Sequence, residues 1–187
     1  MTQLELLELA RSGDQPAFEA IARSIAGRLY RVAHRILRDP YQAEDAMQQA
    51  LIAMWQDFST LRDLDRFESW AYRLVVNAAT SIARRDRRRQ ASVTLVPLDI
   101  GDEDPTSADA SQALADRDAL DRAFQRLSPE HRAVVVLRYF VGLPIEEIGR
   151  TLGIPAGTVA SRLHHAMRGL RAALEAADRP AVGVRTA

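Results

Sequence analysis

Neither cysteine nor lysine occurs among the 187 residues. Lack of cysteine excludes disulfides, thiolate metal sites, thiol nucleophiles and thiol redox switching, so any redox sensing is expected to reside in a partner. Lack of lysine makes all 25 basic residues arginine. Codon bias in a GC-rich genome accounts for most of that, although a planar guanidinium also suits phosphates and base edges. Long apolar runs are missing too, all falling well short of the roughly 20 residues that cross a bilayer. The opening "MTQLELLELARSGD" carries acids where a signal peptide carries bases. The expected location is cytoplasmic. Net charge is zero, with 25 acids against 25 arginines, so any charged partner must be met by local patches. What the chain does have is 47% apolar residues, ample for one domain or two small ones.

The charges are unevenly placed. After Arg89 no basic residue occurs until Arg117, and Asp99, Asp102, Glu103, Asp104, Asp109 and Asp116 fall in the gap. Residues 90–112 also hold Pro97, Gly101, Pro105 and several Ser and Thr, a composition that buries too little to offset its ordering entropy. It reads as a linker. Elsewhere apolar residues recur at helical spacing, and only "SVTLVPL" at 92–98 hints at a strand. The expected fold is all-α: two small helical domains joined by a flexible acidic linker, with boundaries at 1–90, 91–112 and 113–175 and a frayed tail at 176–187. Asp14, Asp39 and Ser128 are expected N-caps, the last two followed directly by proline. The stretch "STLRDLD" is expected to be a loop, with a helix from Asp65 or Arg66 into the arginine run.

Two helices joined by a turn at Gly153 have the form of a helix-turn-helix. On the second, Val159, Leu163, Ala166 and Leu170 form the buried stripe, expected to pack on Ile145, Ile148 and Leu152. Thr158, Ser161, Arg162, His165 and Arg168 then face outward, where arginine can donate two bonds to a guanine edge. By itself that polar flank is what any surface helix has. A second feature supports it: "WAYRLVVNAATSIARRDRRR" joins aromatics to Arg84, Arg85, Arg87, Arg88 and Arg89, the ingredients of single-strand binding. Trp70 alone reads more readily as core. On the third helix Ala43, Met47, Ala50, Met54 and Leu51 are expected inside; Asp45, Gln48, Ile52 and Gln56 outside, with Glu44 and Trp55 flanking. Ile52 on that face suggests a protein partner.

"AEDAMQQALIAMW", "FESWAYRLVVNAATSIARR" and "LSPEHRAVVVLRYFVGLPIEEIGRTLGIPAGTVASRLHHAMRGLR" resemble regions 2 and 4 of the extracytoplasmic-function (ECF) sigma factors, the small promoter-specificity subunits of bacterial RNA polymerase. The resemblance covers about residues 10–175. It implies that the first block binds the polymerase clamp through Asp45, Gln48, Gln49, Ile52 and Trp55. It also implies that this block melts the -10 promoter element. Asn77 would lie near the non-template strand, the loop from Ser59 to Phe67 would capture a flipped base, Trp70 would lie beside it, and Arg84 and Arg85 would sit on phosphates. The second block would bind the polymerase flap and place residues 158–168 in the major groove of the -35 element. The linker's acids would pass near the active-site channel, and an anti-sigma factor would hold the protein off. Three departures from the family pattern stand out: Asp63 and Asp65 in the -10 loop, Ala160 and His165 where basic residues are frequent, and Gln49 in place of an acid.

Enzymatic chemistry has little footing. His164 and His165 are adjacent and point about 100° apart on a helix, so they cannot chelate as an i, i+4 pair can. No glycine-rich phosphate loop follows a strand. No catalysis, cofactor or metal is expected. Two other readings remain at this level, a helix-turn-helix regulator working without polymerase and a sigma-like mimic that sequesters an anti-sigma factor.

Overall fold

A computed structural model describes residues 2–92 and 119–177. Every regular element among them is helical. The chain begins with α1 (Gln3–Arg11), α2 (Gln15–Leu37) and α3 (Pro40–Asp57). Two short 3₁₀ turns, Phe58–Thr60 and Leu64–Arg66, lead into α4 (Phe67–Ser92). Beyond the undescribed stretch come α5 (residues 119–126) and α6 (Pro129–Val135). The last two helices are α7 (Ile145–Leu152) and α8 (Ala156–Ala177). α4 runs two residues into the linker expected at 91–112, and α8 two residues into the tail expected at 176–187; the rest of both, with the strand-like "SVTLVPL" from Val93 on, lies outside the described residues.

Local chemistry sets the helix starts. Asp14, Asp39 and Ser128 each accept a backbone N–H from three residues on, at 2.7, 2.9 and 3.2 Å, which satisfies donors the helix cannot. Thr2 and Glu5 form a reciprocal capping box on α1. Neither Asp65 nor Arg66 begins the fourth helix as expected. Asp63 instead accepts the N–H of Asp65 at 3.2 Å and holds a 3₁₀ turn, so α4 starts at Phe67.

α1–α4 pack around Ile25, Leu29, Ile36, Met54 and Val75, each below 1% exposed. On the general scale each such burial is worth about 1.5–3 kcal/mol. α3 departs from expectation in one respect: Ala43, Ala46, Ala50 and Met54 are its buried residues, while Met47 and Leu51 are half-buried. Small side chains on that stripe let α3 lie close against α2 and α4.

α6 does not run on as an α-helix to Phe140. Val136–Val141 form a π turn, closed by Gly142, whose N–H donates to the Leu137 carbonyl. Val136 and Leu137 point inward, while Tyr139 and Phe140 are 63% and 38% exposed. α6 packs against α2 and α4, the π turn against α2, and α7 against α4.

Candidate nucleic-acid interface

The α7–α8 pair is built by its turn. Gly153 takes the left-handed conformation (φ 66°) and its N–H donates to the Gly149 carbonyl, as does that of Ile154 at 3.0 Å. α8 then starts behind Pro155, whose carbonyl accepts from Thr158 at 2.9 Å. Val159, Leu163, Ala166 and Leu170 are all buried, as their spacing requires, as is Ile148 of α7. Ser161, His165 and Arg168 are exposed, while Thr158 and Arg162 are half-buried at the edge of the face.

Arg162 has company that periodicity did not reveal. His131 of α6 faces α8, its ring 6.4 Å from that of His165, with His164 5.9 Å further along. Ser128 Oγ and His131 Nδ1 are 2.6 Å apart. Burial, then the positive charges of Arg162 and His165, push His131 below the usual imidazole range, against a weaker opposing pull from Glu130. The folded chain therefore binds this proton more weakly than the unfolded chain, so stability rises with pH across the window below about 6.5. His131 contributes fully above that window and its share is lost as pH falls through it. Glu130, raised by burial but held below 4.5 on balance by its backbone hydrogen bond, Arg84 and Ser128, titrates lower and does not confuse the comparison. Thermal unfolding at pH 7.5 and 5.5 is expected to give a lower Tm at 5.5, and a smaller drop in His131→Gln. An equal drop in both proteins would exclude His131 as the source.

The second face lies on α4 and the segment before it. Asn77, Arg84 and Arg85 are exposed along α4, as are Asp63 and Asp65 in the segment. The -10 role expected of Phe67 meets a buried ring, and Trp70 lies in the core, the reading its own position favoured. They are 2% and 8% exposed, packed with Phe58 at centroid distances of 5.9 and 5.7 Å. Their rings fix the segment from below, and neither offers a free face for stacking. Asp63 is also less of an intrusion than its charge suggests, since Arg66 Nε lies 3.0 Å from it. Arg66 was not singled out by the sequence, although an i, i+3 pair flanking "LD" is a legible signal. Between this segment and α7 is a cavity of about 420 Å³ whose lining includes Arg62, Arg73, Arg150 and Thr151.

A third face, on α3, presents Asp45, Gln48, Gln49, Ile52 and Trp55. Ile52 is 57% and Trp55 43% exposed, and the Trp55 ring is braced 4.9 Å from that of Phe18. A braced, half-open indole beside an exposed isoleucine is an apolar patch rimmed by polar groups. Among the described residues no cluster of three or more His, Asp or Glu is placed to hold a metal, and no helix is long and apolar enough to cross a membrane.

Comparison with known proteins finds matches to both helical blocks. The family models for Sigma-70 region 2 and Sigma-70, region 4 match residues 21–89 and 117–170. The ECF RNA polymerase sigma factor SigE of Mycolicibacterium smegmatis is 35% identical over 169 residues, covering 86% of this chain and 63% of that longer protein. The RNA polymerase sigma-E factor of Streptomyces coelicolor is 33% identical over 166 residues, covering 89% of this chain and 90% of its own. In fold, the chain is similar to CnrH, solved in complex with the cytosolic domain of CnrY, with a TM-score of 0.62, 24% identity, and 93% and 97% of the two chains covered.

Proposed function

We infer what each face does from a single premise: the chain belongs to the ECF RNA polymerase sigma factors, built of sigma-70 regions 2 and 4. It directs core polymerase to specific promoters. Region 2 is assigned to residues 1–90, the linker to 91–112 and region 4 to 113–175. Thr158, Ser161, Arg162, His165 and Arg168 read the -35 element in the major groove. Asn77, Arg84 and Arg85, with the segment carrying Asp63 and Asp65, engage the -10 element and assist strand opening. Phe67 and Trp70 act there as supports. Asp45, Gln48, Gln49, Ile52 and Trp55 dock on polymerase. The chain works in the cytoplasm, carries out no chemistry of its own, and is restrained by an anti-sigma factor.

One observation supports this reading above the others. The outward face of α8 is backed by a fully buried stripe, and the same chain carries an exposed arginine row at the end of α4, so duplex and single-strand surfaces coexist. Run-off transcription with bacterial core polymerase on a genomic fragment library, with transcript starts sequenced, tests it. New starts sharing two spaced upstream motifs are expected. Stable core binding without any new start would favour a mimic that sequesters an anti-sigma factor.

Arg162→Ala is expected to weaken binding to a -35 duplex by roughly 1–3 kcal/mol and to relax preference at one base pair. A uniform loss across sequences would instead make Arg162 a phosphate contact.

A further inference from the structure

We propose that the cavity between the segment at 60–66 and α7 is a binding site for a small molecule carrying linked phosphates, of the nucleoside triphosphate class. The site stands apart from the -10 assignment, because part of its chemistry comes from α7.

The cavity has a volume of about 420 Å³, within the roughly 300–1,000 Å³ of sites that enclose small ligands. Its walls come from distant parts of the chain. Residues 60–66 and the first turns of α4 make one, and Glu147, Arg150 and Thr151 of α7 make the other. Leu61 and Trp70, each 8% exposed, supply apolar surface.

Charge singles this cavity out. Four arginines and three acids line it, but the acids are unequally free. Asp63 lies 3.0 Å from Arg66 Nε, and Glu147 accepts the Ser69 hydroxyl at 2.7 Å, which leaves the Asp65 carboxylate as the lining acid without a partner among the described residues. Arg62, Arg73 and Arg150 make no hydrogen bond or ion pair among those residues. By contrast Arg28, Arg38 and Arg84 each meet a carboxylate. A guanidinium presents its N–H groups as a planar fork that grips a phosphate through two parallel bonds. Three unengaged forks, shared between both walls of one cavity, suit several linked phosphates better than a single one.

Thr151 is an independent sign of a ligand. It is 3% exposed, and its Oγ1 has no hydrogen-bond partner among the described residues. Proteins pair nearly all such groups, because a buried hydroxyl left unpaired is unfavourable. Thr151 lines the cavity, so a phosphate oxygen bound there supplies the acceptor that the protein does not. A nucleic-acid strand is the rival occupant, but one lying along α4 by Asn77, Arg84 and Arg85 needs no buried hydroxyl on α7.

Calorimetric titration of the full chain with ATP, inorganic pyrophosphate and adenosine tests the site. ATP and pyrophosphate are expected to bind one to one, and adenosine, lacking phosphate, not to bind. Equal affinities for the first two mean that phosphates alone are read; tighter ATP means that the apolar surface at Leu61 and Trp70 holds the nucleoside. Arg73→Ala and Arg150→Ala should each weaken binding about tenfold. Thr151→Val should weaken it several-fold without lowering Tm, since valine keeps the shape and removes only the unpaired hydroxyl. Arg171→Ala, at an exposed arginine of α8 that does not line the cavity, should change nothing. Failure of both polyphosphates to bind, or a loss in Arg171→Ala as large as in Arg150→Ala, overturns the site. So does an Arg150→Ala protein that loses affinity for a -10 single strand and none for ATP, a result that assigns the cavity to DNA.

Discussion

Phe58→Ala is expected to lower unfolding stability by about 3–5 kcal/mol, a drop in Tm of roughly 6–20 °C for a chain of this size. Phe58 is 2% exposed and lies at the centre of an aromatic cluster, 5.8 Å from Phe18, 5.9 Å from Phe67 and 5.7 Å from Trp70. Alanine leaves a hole bounded by rings held on two different helices, α2 and α4, which cannot all collapse into it. The loss is functional as well as energetic. Residues 59–66 span from Phe58 to Phe67, and those two rings fix both ends of the segment assigned to the -10 element. Urea unfolding followed by circular dichroism, with tryptophan fluorescence reporting on Trp70, measures the first effect; single-strand binding measures the second. Phe58→Leu refills much of the space and should recover most of both. A change below about 1 kcal/mol in Phe58→Ala would show that the cluster is not packed as described.

Gly149→Ala is expected to disable the helix-turn-helix. A Cβ there would lie 2.8 Å from the Ile154 carbonyl oxygen and 3.4 Å from the Ala156 nitrogen. Both neighbours are main chain, so relief requires moving the turn that aims α8. Overpacking of this kind typically costs about 1–3 kcal/mol, and here the strain falls on the hydrogen bond from Ile154 to Gly149 that closes the turn. Duplex binding at the -35 element should fall tenfold or more. Gly157→Ala provides the control, since a Cβ there meets nothing within 4 Å and alanine in a helix is favoured over glycine by up to about 1 kcal/mol. If Gly149→Ala melts and binds like Gly157→Ala, the turn has more freedom than its geometry allows.

The two glycines show what the sequence reveals and what it withholds. Gly153 was legible because a glycine after the last apolar position of a helix is a stop signal with a local cause. Gly149 sits inside a helical pattern, where glycine reads as a tolerated weakness. Its necessity comes from Ile154 and Ala156 folding back over it, which no local period encodes. The outward face of α8 was legible for the same reason as its buried stripe, since one implies the other. Phe67 was misread because a family-derived role attached to a loop, whereas burial is set by Phe58 and Trp70 across the core. Arg132 was invisible: arginine counts as polar in any periodicity, yet tertiary packing leaves it only 8% exposed. Contacts between the two helical blocks are likewise built from residues 40 or more positions apart, such as Arg84 with Glu130.

The π turn at Val136–Val141 is where the helix carries slack. A turn that closes on the fifth residue instead of the fourth is wider than an α turn and holds one residue more. Its inner side keeps Val136 and Leu137 in the core, while its outer side carries Tyr139 and Phe140 to the rim. Gly142, left-handed at φ 88°, ends the wide turn before the chain enters α7.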